Sequence, residues 1–296
     1  MKRPTLTRSG FIYILILFLL SQFGFGKAQP LHALPADSET DWIPFVPDGE
    51  EFSAMIPALP TILNEPANYI YRKDGEKVLQ HRDYSGYKDG LVFIIESYKV
   101  ARPQKLMDAL IEGELRGATF EREITLNDLN ARQYRSNYLR VPLRIIGFVT
   151  KEHVYFLKLA TLEETNSAVD KFLAGFRIHT PQDKEHWNDL TPATADIKQD
   201  DILSSQDVTR KAVIAWKPIP GYTEKARVNG LIGSVILEAV FAANGYVTNI
   251  KVINGMKDGM TERAIEYTRN IRFFPAEKDG KPVSQSTRLE YKFNLY

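Results

Sequence analysis

Apolar and polar residues alternate along most of the chain between positions 42 and 179. The alternation predicts strands over 51–56, 69–73, 77–84, 91–100, 119–124, 131–138, 143–150 and 154–161. Turn residues separate several of these runs, at Lys73-Asp74-Gly75, at Lys88-Asp89-Gly90 and across 150–153. Connections this short join antiparallel neighbours, so a largely antiparallel sheet is expected. Two stretches switch to the helical period. Leu106, Met107, Leu110 and Ile111 form one apolar stripe behind Pro103, which suits a first helical position, and Gly117 can close that helix. Val169, Phe172, Leu173 and Phe176 form a second stripe after Asn166, a good N-cap. The order strands, helix, strands, helix predicts an α+β domain over 42–179.

From residue 211 onward the pattern sharpens. Positions 233–241 are rich in β-branched side chains, Asn244-Gly245 follows, and 246–253 returns as a second run, which predicts a hairpin around a type I′ turn. Met260, Ala264, Tyr267, Ile271 and Phe274 then fall at steps of four and three. That spacing is one face of a helix, capped near Thr261 and with Glu262 well placed for the macrodipole. In the last strand, 284–295, Leu289, Tyr291, Phe293 and Leu295 alternate with Arg288, Glu290, Lys292 and Asn294, so one face is buried. Between the two patterned regions, 181–210 holds seven acids against three bases and no sustained period, which reads as an acidic linker. The expected organisation is therefore a leader over 1–28, an α+β domain over 42–179, the linker, and a smaller C-terminal domain over 211–296.

The leader is read from Lys2, Arg3 and Arg8, the apolar run 11–20, and Gly24, Gly26 and Ala28. These are the basic, hydrophobic and small-residue regions of a signal peptide cleaved after Ala28, with an uncleaved anchor as the alternative. The protein is expected in the periplasm or outside the cell, and to meet a membrane only through this segment. Residues 29–296 hold 34 bases against 37 acids, which excludes a strongly basic nucleic-acid binder. Residues 211–296 alone hold thirteen bases against eight acids, opposite in sign to the linker.

Little in the chain suggests chemistry. There is no cysteine, which removes disulfides, thiolate catalysis and cysteine-ligated metal. No two of His32, His81, His153, His179 and His186 are separated by the three or four residues that would place them on one helical face. His153 reads as a turn residue, and Asp48, Glu50 and Glu51 as a solvated turn. Nucleophile elbow, phosphate loop and dinucleotide fingerprint are all missing from the sequence. Catalytic residues, metal and cofactor are therefore not expected, and the protein reads as a non-enzyme. Tyr267, Phe273, Phe274, Tyr291 and Phe293 read as core, since they fit the buried stripes of their elements.

One set of motifs does carry a resemblance. It comprises Lys217-Pro218-Ile219-Pro220-Gly221-Tyr222, Ala226-Arg227, Gly233-Ser234-Val235, Asn244-Gly245-Tyr246-Val247, Met260-Thr261-Glu262, Ile271-Arg272-Phe273, Phe274-Pro275-Ala276, Gly280-Lys281-Pro282-Val283 and Phe293. Residues 216–296 resemble the C-terminal domain of TonB proteins. The resemblance implies a small sheet with helices on one side, which captures an extended peptide of an outer-membrane transporter beside its last strand. Tyr222 then corresponds to the tyrosine of the family's Tyr-Pro motif, with Thr223 in place of the proline, and 284–295 to the pairing strand. The implied partner-binding residues are Tyr222, Arg288, Leu289, Glu290 and Tyr291, and the implied partner is an envelope protein such as a TonB-dependent outer-membrane receptor. The apolar run 11–20 contains no histidine, and a patterned domain stands where the family has a proline-rich spacer, so transduction of the proton-motive force is not implied. The N-terminal region resembles exported PsbP-like domains through 52–60 and its strand–helix order.

The leading expectation is an exported envelope protein, active in transport or recruitment, whose C-terminal domain binds a partner by β-strand addition. The alternative is a periplasmic carrier holding a small apolar ligand or lipid in the N-terminal domain.

Overall fold

In chain order the N-terminal part consists of β1 (Ile43–Phe45), β2 (Phe52–Ile56), β3 (Thr61–Glu65), β4 (Val78–Lys88), β5 (Leu91–Val100), α1 (Pro103–Gly113), β6 (Thr119–Leu126), β7 (Leu129–Ser136), β8 (Leu143–Val149), β9 (His153–Thr161), α2 (Ser167–Gly175) and β10 (Arg177–Ile178). This is a computed structural model, which describes residues 42–65, 77–137 except 114 and 116, 141–163, 166–179 and 202–295. The leader, the 69–73 strand and most of the expected linker lie outside the described residues.

Seven strands form one sheet in the order β3-β4-β5-β9-β8-β7-β6, every pair antiparallel. An antiparallel sheet commonly keeps one face in water and so alternates buried with exposed positions. Here nearly every residue of the adjacent strands β5 and β9 is buried, so the middle of the sheet is covered on both faces. On one face Phe93, Ile95, Tyr155 and Leu157 pack against Phe52, Ala54 and Ile56 of β2 and Val169 and Phe172 of α2. Asn166 caps α2 by accepting from the Ala168 amide at 2.8 Å, as its sequence suggests. On the other face Val92, Ile94, Val154 and Phe156 meet the stripe of α1 formed by Leu106, Met107 and Leu110. Gly147 of β8 permits this approach, because a Cβ there would lie 2.6 Å from Met107 Cε.

The C-terminal part adds β11 (Ile202–Leu203), β12 (Val213–Trp216), α3 (Glu224–Val228), β13 (Gly233–Phe241), β14 (Val247–Asn254), α4 (Met260–Arg269), β15 (Arg272–Phe274), β16 (Ala276–Lys278) and β17 (Lys281–Phe293). Its principal sheet runs β11-β17-β13-β14, with β16 also on β17. Helix α4 covers one face with Met260 and Ala264, against Val235, Leu237, Phe241, Leu289, Tyr291 and Phe293. The expected aromatic core residues Tyr267, Phe273, Phe274, Tyr291 and Phe293 are all buried.

Four local expectations need correction. The stripe that predicts one helix outruns it: α4 ends at Arg269, Ile271 follows it, and Phe274 belongs to β15. The β13–β14 turn is not type I′. Gly245 alone is left-handed, with φ 85°, and the Gly245 amide bonds Ala242 O while the Ala242 amide bonds Tyr246 O, which makes a longer loop ending in one left-handed residue. Thr261 does not cap α4. Its hydroxyl donates to Met256 O and accepts from the Met256 amide, and Gly259 stands at the cap. The stretch expected as linker is not linker at its end: β11 pairs in parallel with Ser284 and Gln285 of β17, and Arg210 bridges Glu277 through both backbone and side chain.

Asp41–Tyr296 forms one compact unit, and the apolar core is shared across it. Ala215 and Phe274 belong to the same buried cluster as Val92, Ile94 and Leu106, and the Phe274 ring meets the Tyr87 ring edge-on at 5.9 Å. Gly245 sits so close to Tyr87 that a Cβ would come within 2.6 Å of it. Polar contacts accompany this packing. Tyr246 donates to Leu59 O at 2.7 Å, and Thr61 donates to Asn270 Oδ1 at 2.9 Å. The fully buried Arg272 donates from Nε to Ser85 Oγ at 2.9 Å and from Nη1 to Ile271 O at 2.6 Å. Burial pulls the Arg272 pKa down to about 10, which still leaves a cation at neutral pH.

Lys158 stands at the same junction. Its ammonium pairs with the buried Glu96 and lies 4.1 Å from the centroid of the Trp216 ring. Burial pushes the Glu96 carboxyl up, and the ammonium of Lys158 opposes that rise. Removing one partner of a buried ion pair strands the other charge, at a cost of about 3–5 kcal/mol. We expect Lys158→Met to destabilise the protein in denaturant unfolding by about that amount, and Glu96→Gln in the same chain to recover most of it. An unchanged unfolding midpoint in the single variant would mean that the pair contributes nothing.

Candidate functional site

A sheet has two edges, and each has unpaired N–H and C=O groups that can accept another strand. In the C-terminal sheet these edges are β14 on one side and, beyond the two residues covered by β11, β17 on the other. They differ in regularity. The β13–β14 register shifts between Ile236 and Leu237 and again between Glu238 and Val240, and Asn249 of β14 is left-handed with φ 48°. Irregularities of this kind turn an edge away from regular pairing. Strand β17 pairs with β13 without a shift from Gly233↔Phe293 to Phe241↔Gln285. On its other side β11 takes Ser284 and Gln285, and among the described residues no strand pairs with 286–293 there.

Geometry then assigns the groups on this edge. Successive residues of a strand direct their main-chain groups to alternate sides. Glu290 O accepts from Lys217 Nζ at 3.0 Å, a donor outside the β13 ladder, so Glu290 faces the open side. Ser286, Arg288 and Lys292 share its parity and face the same way, whereas Leu289 and Tyr291 direct their main-chain groups to β13. Side chains separate along the same lines. Arg288, Glu290 and Lys292 are exposed, and Leu289 and Tyr291 are buried against α4, with the Tyr291 hydroxyl 3.1 Å from Thr268 Oγ1. Of the four strand residues expected from the sequence, Arg288 and Glu290 are on the open edge, and Leu289 and Tyr291 are the core residues that hold the strand in place.

Tyr222, the fifth, lies away from the exposed main chain. Its hydroxyl donates to Leu231 O at 2.8 Å and its ring meets Phe293 edge-on at 5.6 Å, so it clamps the α3 region onto the end of β17. Thr223 explains the departure from a Tyr-Pro motif. Its Oγ1 accepts from the Ala226 amide at 3.1 Å and donates to Asp258 O at 2.6 Å, capping α3 and tying it to the loop before α4. Proline at 223 would forfeit both bonds.

Lys217 is the site residue that sequence reasoning misses. Besides bonding Glu290 O, its ammonium lies 4.4 Å from the centroid of the Tyr291 ring, and burial lowers its pKa. No periodicity announces such a residue: it follows a four-residue strand and precedes Pro218.

Two features of the N-terminal part bear on chemistry. Of the three carboxylates expected in a solvated turn, Asp48 is exposed in one, whereas Glu50 and Glu51 are packed. Glu50 is 1% exposed, and its oxygens accept from the hydroxyls of Tyr84 at 2.9 Å, Ser97 at 2.5 Å and Tyr155 at 3.2 Å. His153 closes the β8–β9 turn, its carbonyl accepting from the Thr150 amide at 2.9 Å, and its buried side chain places Nδ1 3.0 Å from Glu51 Oε2. The reason is topological: these acids begin β2, which lies across the large sheet, so their hydrogen-bond partners are already beneath it. The network pins β2 to the large sheet. Among the described residues no group of three or more His, Asp or Glu side chains is placed to hold a metal. A cavity of about 490 Å³ lies beside α1 and is lined by Gln104, Met107, Glu123, Thr125, Asn130 and Arg132 among others. Ile124, Ala131, Phe148 and Val149 complete the lining, so its wall mixes apolar side chains with charged ones.

Comparison with known proteins bears on the C-terminal part. No curated protein matches the chain. The solution NMR structure of the Pseudomonas aeruginosa TonB C-terminal domain matches 32% of this chain and 97% of its own at 19% identity, with a TM-score of 0.26. Residues 218–295 match the family described as Gram-negative bacterial TonB protein C-terminal. The motifs from Pro218 to Phe293 and this match agree in extent, and the C-terminal part of the chain belongs to the TonB C-terminal domain family.

Proposed function

We propose that the protein is a non-enzymatic component of the cell envelope that recruits an envelope or outer-membrane protein by adding an extended segment of it to the open edge of β17. The family supports the envelope setting and the protein–protein role. The observation that carries the reading is the contrast between the two edges of the C-terminal sheet. Strand β14 is bulged, whereas β17 keeps an even register beside four outward-facing main-chain positions. Main-chain pairing supplies affinity in strand addition, and side chains beside the edge supply selectivity. Arg288, Glu290, Lys292 and Lys217 are the side chains available for that selectivity.

In this reading the protein is not a force transducer. The C-terminal domain shares its core with the N-terminal sheet through Phe274 and Ala215, which suits a fixed docking platform rather than a domain at the end of a tether. The cavity beside α1 has a mixed lining, with the charges of Glu123 and Arg132 among its apolar side chains, and does not by itself favour the apolar-carrier alternative.

Two variants separate a main-chain contact from a clamp. Glu290→Pro removes an outward N–H while leaving Leu289, Tyr291 and Phe293 in the core. Capture of the envelope partner, measured as binding to photo-crosslinker-labelled protein at position 288, is expected to fall at least about tenfold on losing one or more ladder bonds. The melting temperature should change little. A folded Glu290→Pro protein with undiminished crosslinking would sink strand addition at this edge. Tyr222→Phe removes the bond to Leu231 O and is expected to cost about 1 kcal/mol of stability with crosslinking unchanged. A loss of crosslinking without a loss of stability would return Tyr222 to the partner surface.

A further inference from the structure

An open, regular edge is a hazard as well as a binding site, because a second copy of the chain can add to it. Proteins blunt such edges with bulges, prolines, inward charges or a covering segment. Strand β17 has no register shift along β13 and no proline between 286 and 293. It carries two other devices. At one end Ile202 and Leu203 lie in parallel on Ser284 and Gln285, while Gln285 Oε1 also accepts from the Ala212 amide at 2.9 Å. Further along, the ammonium of Lys217 sits on the outward carbonyl of Glu290 and beside the Tyr291 ring. Lys217 reaches that point because its neighbour Trp216 is held by Lys158 of the large sheet.

From this arrangement, and resting on the strand-addition reading above, we infer that the chain guards its own binding edge. Strand β11 fills the first two positions, Lys217 caps the carbonyl of Glu290, and an incoming strand must displace the Lys217 ammonium to pair along 286–292. Lys217 competes with the partner for the Glu290 carbonyl, and β11 holds the neighbouring positions 284 and 285, which an incoming strand would need in order to extend its pairing beyond 286. Removing either therefore tightens binding, and it also makes the protein more prone to self-association.

The test needs a defined probe. A ten-residue peptide selected from a random displayed library on the full chain, then synthesised, serves as the probe in calorimetry. It is titrated against the wild type, Glu290→Pro, Lys217→Met, Lys217→Arg and the double variant Ile202→Pro/Leu203→Pro, with melting temperature recorded for each. We expect binding lost in Glu290→Pro, about three- to tenfold tighter in Lys217→Met, as suits release of one charge-assisted hydrogen bond, and near the wild-type value in Lys217→Arg. The Ile202→Pro/Leu203→Pro chain should also bind more tightly, and sedimentation should show Lys217→Met forming dimers at lower concentration than the wild type. Probe binding that needs an intact Glu290 backbone, yet is unchanged or weaker in both guard variants, overturns the guard and leaves strand addition standing. Probe binding indifferent to Glu290→Pro overturns both.

Discussion

The seven-stranded sheet has two apolar faces at its centre, and each must be covered. Strands β5 and β9 are buried along almost their whole length, so neither can turn a face to water. One face is satisfied locally, by β2, α2 and the residues around them. The other is only partly covered by α1, a helix of eleven residues. What completes it comes from the far end of the chain, as Ala215 and Phe274 enter the cluster formed by Val92, Ile94 and Leu106. Burial of apolar area is worth roughly 25 cal/mol per Å², so separating the parts would expose this shared core at a cost that a few surface bonds could not offset.

That constraint positions the C-terminal sheet. Once β15 is held on β4 and β5 by Phe274 and by Arg272 with its bond to Ser85, the strands beyond it have little freedom. The contacts at the junction are of unequal kinds. Phe274 and Ala215 supply area, whereas Arg272, Tyr246 and Thr61 supply direction, because each bonds one particular atom across the junction. Trp216 does both, since it lies in the apolar cluster and under the Lys158 ammonium. Trp216 is also next to Lys217 in sequence. The cover of the large sheet and the state of the β17 edge are thus mechanically adjacent.

Much of this was legible in the sequence where a period repeats. Six of the seven strands of the large sheet, both stripes of its helices, the Asn166 cap and the alternation of Leu289, Tyr291 and Phe293 could be read because several residues in a row report the same face, whereas β3 at the sheet edge could not. The failures have one character. Strand β11 is two residues long and has no period to detect. Glu50 looks like a solvated acid because its sequence neighbours are polar, and its burial depends on Tyr84, Ser97 and Tyr155, all distant in the chain. The pattern names Leu289 and Tyr291 along with their strand, and it is the bond from Lys217 to Glu290 O, a contact the sequence does not display, that turns their main chain toward β13.

An edge that is to be recruited has to be neither inert nor permanently available, and the relative strengths here suit both demands. A charge-assisted hydrogen bond such as Lys217 to Glu290 O is worth about 1.5–3 kcal/mol when intact, less where water competes. Four outward residues offer several main-chain bonds of about 0.5–1.5 kcal/mol each. A strand that engages most of them can outweigh the lysine, whereas a segment that matches only one or two positions cannot. Chance encounters between copies start from short, poorly registered contact and so meet the cap at its most effective. A segment complementary over the whole of 286–292 gains each bond while displacing the ammonium once. The guard filters by length and register before any side chain is read, and Arg288 and Lys292 can select only among segments that have already passed it.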